Sequence, residues 1–385
     1  MQLATLDEPL VFLPRAKLPV EQSPSMDDHL KVRCFPGKQL PAELCAQWDA
    51  LQRVNSTLAS PFFRPEFTQT VAAVRDDVEV AFVEDTDRVV AVFPYQRASF
   101  GAARPVAGRL SDFQGLISAS DWQCDPKRLL QRCGLRSWHF DHLLATQTSF
   151  EPYMWTKGVS PFIDLAAGFD AYERDRKAQN SEIPTIKRKL KKMEREVGPL
   201  RLEWNCANRD HLQTLMRWKG DHYRRSGFRD LFSFPWITQF FDRLLALQTP
   251  ELSGTFTCLY AGDRLAAAHL GMSSRHVLHW WFPSYDRELG KYSPGLALIY
   301  LMAQQAHEYG ISRLDFGKGD EEYKFRLASG AEQVCEGSVD LQFSRRLIQR
   351  TWQTTRDWVK NSPLDGPTQA PLRWLRWMRD WLSFQ

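Results

Sequence analysis

The stretch 285-YDRELGKYSPGLALIYLMAQQAHEYG-310 decides the fold. It leads from an aromatic, strand-like run, HVLHWWFPSYD (276–286), into a long apolar helix that Gly310 stops as a residue suited to left-handed backbone. Ser293 is a favourable N-cap, Pro294 suits the first helical turn, and Gly295 lets a ligand approach the backbone closely. A helix begun this way offers free N–H groups and the positive end of its dipole to a pyrophosphate, and Lys291 adds a direct charge. Taken alone, Ser-Pro-Gly is equally well explained as an ordinary capped helix start. The flanking elements bear on the choice.

Working backwards, TFTCLYAG (255–262), a Gly262-Asp263 turn and RLAAAHLGMSS (264–274) read with 276–286 as three consecutive antiparallel strands. They follow a strand at 199–206 and helices across 208–225 and 234–248. Working forwards come the strand SRLDFGKG (312–319), a short helix from Asp320 and final strands in EQVCEGSVDLQFS (332–344). The first half shows the same plan in shorter form: a strand at 29–35, helices at 42–54 and 62–75, a hairpin across 78–99, a short helix from Asp125 and a strand at 137–145. That repetition hints at duplication, and the interleaving predicts a mixed α/β (α+β) architecture.

At 385 residues the chain suits two domains, and 43% hydrophobic with 25% charged residues is globular in composition. The seven cysteines are scattered, odd in number and never in a CxxC or Cys/His spacing, which argues against a disulfide framework and a zinc site. Charges and prolines in the first 28 residues, and the lack of a long apolar run, predict neither export nor a membrane span. A cytoplasmic protein is expected. A net charge of +4 does not by itself announce a nucleic-acid binder.

The run from YDRELGKYSPGLAL to LDFGKGDEEYKFRLAS resembles the BioF2-like, or CelD-type, GNAT acetyltransferases of bacterial exopolysaccharide and cellulose gene clusters, relatives of the FemABX aminoacyltransferases. The marks are the Ser-Pro-Gly helix start and a Gly-Asp-x-x-Tyr-Lys motif, here Gly319, Asp320, Tyr323 and Lys324. The likeness covers roughly 170–330, and more loosely 60–120, where SDFQGLI (111–117) resembles a cleft loop. The helix start lacks the Gln/Arg-x-x-Gly-x-Gly/Ala loop of ordinary GNAT enzymes. The resemblance implies two tandem GNAT-like domains in a FemAB-like arrangement. The expected division is an N-terminal extension (1–28), a degenerate domain (29–166), a basic helical linker (167–198), a catalytic domain (199–346) and a Trp/Arg-rich tail (347–385).

It further implies acetyl-CoA, or another acyl-CoA, as co-substrate and no metal, with Lys291, Ser293, Pro294, Gly295 and Lys324 binding it. An ammonium acceptor must lose a proton before attack and the CoA thiolate needs one. The candidates are His269 or Asp320 as base and Tyr323 or Tyr292 as acid, with Asp112, Trp218, Asp315 and Trp281 lining the acceptor site. Each has a plainer account: His269 as a packed core histidine, Asp320 as a helix-capping acid, Tyr323 and Lys324 as braces, and Trp218 and Trp281 as core or cleft wall.

The expected acceptor is an amine on an amino sugar, sugar nucleotide or polysaccharide precursor. A FemX-like transferase using aminoacyl-tRNA and a non-catalytic scaffold are the alternatives. The basic segment 174–195 lacks a wide apolar stripe and interleaved aromatics, so of its three readings a solvated face comes first, beside contact with an anionic substrate or CoA and a nucleic-acid surface, the last a weak one. In the tail, Trp352, Trp358, Trp374, Trp377 and Trp381 alternate with arginines. Packing on the protein itself is the first reading, and peripheral contact with the inner membrane the second. A monomer is expected.

Overall fold

A computed structural model describes residues 30–179 and 182–341. The expected N-terminal extension and Trp/Arg-rich tail lie outside the described residues. The first half runs β1 (Lys31–Pro36), α1 (Ala42–Val54), α2 (Pro65–Ala72), β2 (Val78–Asp85), β3 (Arg88–Arg97), β4 (Ala102–Arg104), β5 (Ile117–Ser118), α3 (Pro126–Arg132), β6 (Ser137–Leu144) and β7 (Met154–Asp164). Next come α4 (Phe169–Ala178), α5 (Ile183–Glu196), β8 (Leu200–Glu203), α6 (Arg209–Arg225), α7 (Pro235–Ala246), β9 (Ser253–Ala261), β10 (Arg264–Ser274) and β11 (Val277–Tyr285). The chain ends its described part with α8 (Pro294–Gln305), β12 (Arg313–Asp315), α9 (Glu322–Leu327) and β13 (Gly330–Asp340). The mixed α/β reading is correct.

Local chemistry sets several of these boundaries. Asp125 accepts the amides of Lys127 and Arg128 to open α3, and Asn208 accepts those of Asp210 and His211 to open α6. Gly310 sits at φ 69° and closes the helical run after α8, as the sequence predicts.

One mixed sheet unites the two halves in the order β1-β2-β3-β4-β6-β13-β7-β12-β11-β10-β9-β8, with β5 beside β3. The halves interlock at its centre. β7 of the first half pairs with β12 and β13, while β13 from the end of the second pairs with β6. The sequence reading has no strand at 154–164. Its Gly158 and Pro161 both argue against a central strand, yet Pro161 still offers its carbonyl, which accepts the Phe316 amide at 3.0 Å.

The basic segment also differs from its sequence reading. α5 does carry an apolar stripe: Ile183, Ile186, Leu190 and Met193 are buried in one cluster with Ala297, Leu298 and Leu301 of α8 packed against or within it. Their spacing of three, four and three residues follows one face of a helix, narrow enough to be masked by the lysines and arginines around it. The outer face stays charged.

Candidate active site

Strand divergence positions the first part of the site. β11 pairs in parallel with β12 only over Val277–His279 against Arg313–Asp315, and then β11 runs on to Tyr285 while β12 ends. α8 starts beside this carboxyl-end opening, the place where open α/β sheets hold ligands. Its entry is unlike a standard cap. Ser293 adopts left-handed backbone (φ 52°) and makes no side-chain cap; its hydroxyl instead accepts Lys189 Nζ from α5 at 2.7 Å.

Leu296 and Ala297 return their amides to the Ser293 carbonyl, and Pro294 has none, so Gly295 carries the first-turn amide not spent there. A Cβ on Gly295 would meet nothing nearer than Tyr285 Cδ1 at 3.5 Å, so the backbone here is open to approach. Lys291 is largely exposed and 3.7 Å from Glu196. The helix start, Lys189 and Lys291 together form a cationic, donor-rich edge that fits a phosphate group. Tyr292 faces elsewhere: it is buried, and its hydroxyl donates to Glu196 Oε2 at 2.9 Å.

The second part of the site joins the two halves. His279 of β11 is fully buried, edged by the rings of Phe62, Phe113 and Trp281, and its Nε2 lies 2.8 Å from Asp112 Oδ2. The other Asp112 oxygen faces His142 Nε2 at 3.8 Å, and His142 Nδ1 meets Asp141 Oδ1 at 2.9 Å. Gln114 locks this wall. Its amide oxygen accepts the backbone N–H groups of Asp141 and His142, and its amide nitrogen donates to the Asp141 carboxylate at 2.7 Å.

Charge follows from this packing. Burial opposes ionisation of Asp112, but the His279 hydrogen bond, His142 and Lys324 outweigh it and hold its carboxyl below the usual range. Burial likewise opposes the charge on Asp141, yet His142 and Gln114 take it down to about 2. For His142, burial disfavours the cation, while Asp141 and Asp112 more than compensate and raise its pKa above the ordinary histidine value.

The loop after β12 closes over these groups. Gly317, at φ 70°, passes so near that an added Cβ would lie 2.6 Å from Asp112 Oδ2. Lys324 is buried, donates to the Gly317 carbonyl at 3.4 Å and pairs with Glu321 at 3.0 Å. Opposite, α6 presents Tyr223, whose phenol burial and nearby Asp112 push well up, and Lys219, whose Nζ donates to the Pro283 carbonyl at 3.3 Å.

The remaining residues singled out from sequence scatter around this cleft. His269 is buried, stacks flat on Trp280 at 4.4 Å and accepts the Trp281 amide at Nε2; burial takes its pKa down to about 3, so it stays neutral. Asp315 is buried in an ion pair with Arg313 at 2.7 Å. Asp320 is exposed and α9 starts beyond it. Tyr323 sits against Phe316, and burial raises its phenol to about 12. Trp218 is half-buried on α6, and Trp281 packs edgewise on Phe62 and Phe241. His142, His279 and Lys219 were not recognised from the sequence, and only the Asp112 loop pointed towards them.

The fold also gathers three side chains that sequence spacing kept apart. The donor atoms of Cys206, His211 and Cys258 all lie within 4.8 Å of one another, with the Tyr260 hydroxyl 3.0 Å from His211 Nδ1. Cys258 lies on β9, Cys206 follows β8 with its amide bonded to the Phe256 carbonyl of β9, and His211 comes from the first turn of α6, against the expectation of no Cys/His grouping.

Residues 181–325 match the family model of the acetyltransferase (GNAT) domain. The matched stretch begins at α5 and includes the helix start and the Lys324 loop, while Asp112 and His142 lie outside it. FemX has a similar fold, with a TM-score of 0.54 at 10% identity over 82% of this chain and 99% of FemX. The C-terminal domain of a lysylphosphatidylglycerol synthetase candidate from Agrobacterium fabrum gives a TM-score of 0.51 at 12% identity over 81% of this chain and 96% of that one. At such identities the likeness is one of fold. No curated protein matches the chain. Among the described residues no helix is long and apolar enough to cross a membrane.

Proposed function

We propose that the protein transfers an acyl group, acetyl in the simplest case, from acyl-CoA to a primary amine on an amino sugar, sugar nucleotide or other cell-envelope precursor. The observation that carries this reading is the Asp112–His142 wall of the first half facing the GNAT domain's cleft. The α8 start, with Gly295, Lys189 and Lys291, would hold the CoA phosphates.

The acceptor arrives as an ammonium, which the ionised Asp112 receives; His279 fixes the carboxylate from behind. His142 takes the proton through Nε2, because Asp141 on Nδ1 orients the ring and stabilises its cation. The freed amine attacks the thioester carbonyl carbon and the C–N bond forms. As the C–S bond breaks, Tyr323, which holds its proton at neutral pH, gives it to the departing thiolate. It is reprotonated by the second proton that the cationic nitrogen of the tetrahedral intermediate sheds, while His142 releases the first to solvent. Positioning amine and thioester together lowers the barrier further. His269, neutral and enclosed, supports the Trp280–Trp281 backbone rather than moving a proton.

The test is release of free CoA thiol from acetyl-CoA in the presence of a panel of amino sugars and nucleotide amino sugars. Acceptor-dependent release that is lost in His142→Gln supports the reading. Acceptor-independent hydrolysis alone, or release unaffected by His142→Gln, rejects it.

A further inference from the structure

Two lysines near the Asp112–Asp141 wall make no salt bridge of their own among the described residues. Lys219 enters from α6 and donates to the Pro283 carbonyl at 3.3 Å; Lys318 enters from the loop after β12 and donates to the Asp141 carbonyl at 3.0 Å. Both are half-buried. Among the described residues neither has a carboxylate partner, in contrast to Lys324, which pairs with Glu321.

We propose that Lys219 and Lys318 bind an anionic group of the acceptor, a phosphate ester, beside the amine that Asp112 receives. This deepens the acyltransferase reading and rests on it for the identity of the acceptor. The anion subsite itself needs only the two lysines.

An ammonium group has three donors, and a single carbonyl leaves the others to be met by water or ligand. Partial burial makes such a charge costly unless something of opposite sign is supplied. Lys219 feels this directly: burial, with Lys324 adding, takes its pKa down to about 8 despite the opposing Glu321. The Lys318 stem is held in place as well. It lies over Gly158, where an added Cβ would stand 2.9 Å from Lys318 Cε, so β7 leaves room for this lysine and no more.

The cleft is thus bipolar. Asp112 and Asp141 supply negative charge on one wall, and the lysines supply positive charge around it. An ammonium without a phosphate would satisfy one half of this arrangement; a phosphorylated one satisfies both. The other phosphate source in the reaction, CoA itself, has its own cationic edge at Lys189 and Lys291.

Calorimetry on the full chain without acyl-CoA, using glucosamine 6-phosphate and glucosamine as probes, reads the subsite. The phosphorylated probe is expected to bind at least about tenfold more tightly, as charge-assisted hydrogen bonds give. Lys219→Met and Lys318→Met should each remove most of that preference, and Lys219→Arg and Lys318→Arg should retain it, which separates charge from folding. Equal affinity for the two probes, or no binding of either, overturns the proposal. So do Met variants that weaken acetyl-CoA binding and leave the probe preference intact, since the lysines would then serve CoA. Thiol release is measured separately: its absence alongside a phosphate preference would reject the acyltransferase reading and leave the anion site standing.

Discussion

His279 Nε2 lies 2.8 Å from Asp112 Oδ2, so a fully buried imidazole of the second half fixes a carboxylate of the first across the cleft between them. Asp112→Asn keeps the shape but removes the charge that receives the ammonium. It should lower kcat/KM by about 10²- to 10³-fold, in the range of positioned acid–base groups. His279→Gln retains a donor at some distance from the carboxylate and should cost less, about tenfold by the same reasoning. Steady-state thiol release checks both.

His142 should titrate above the ordinary histidine value of about 6.5 by NMR, and Asp141→Asn should lower its pKa, since burial is then less opposed. As the neutral ring is the base, the rate should rise with pH through that pKa, and the acidic limb should move to lower pH in Asp141→Asn. The stability linkage has opposite signs for the two partners. The raised His142 contributes stability that is complete below its unfolded pKa and is lost as pH rises through its folded one. Asp141 contributes stability present above the unfolded carboxylate value and lost as pH falls through about 2. Melting curves across pH should fall off on both sides.

Gly317→Ala should impair both folding and activity. A side chain there meets Asp112 and must tolerate φ 70°, so a loss of about 1 kcal/mol or more is expected from the backbone alone. Chemical denaturation measures the first effect and kcat/KM the second.

Met193→Ala should cost about 2–5 kcal/mol, because α5 buries this side chain completely in the cluster it shares with α8. Lys192→Ala on the exposed face should change stability by no more than about 0.5 kcal/mol. Equal, small effects would mean that α5 does not pack as described.

What the sequence revealed follows how local each signal is. The GKYSPG helix start, the strands at 255–286 and the Gly310 stop are written in short-range pattern and turn chemistry, and all appear where expected. β7 was illegible because Gly158 and Pro161 break strand patterning, and its pairing partners lie far off in the second half. The Asp112–His279 bond spans 167 residues, and His279 sits in an aromatic strand where a histidine looks like core. His269 on the neighbouring strand carries the same local signature and is equally buried, but its Nε2 accepts the Trp281 amide instead of meeting a carboxylate. Only the sheet register tells them apart.

The most direct measurement of the central claim is acetyl-CoA binding by calorimetry to the wild-type chain and to Gly295→Trp, which fills the open approach to the α8 start. Saturable binding by the wild type that is lost in the variant, with both proteins melting within a few degrees (~5 °C) of each other, is the predicted result. Wild-type protein that binds neither acetyl-CoA nor longer acyl-CoAs, or a variant that binds as well as wild type, would contradict it.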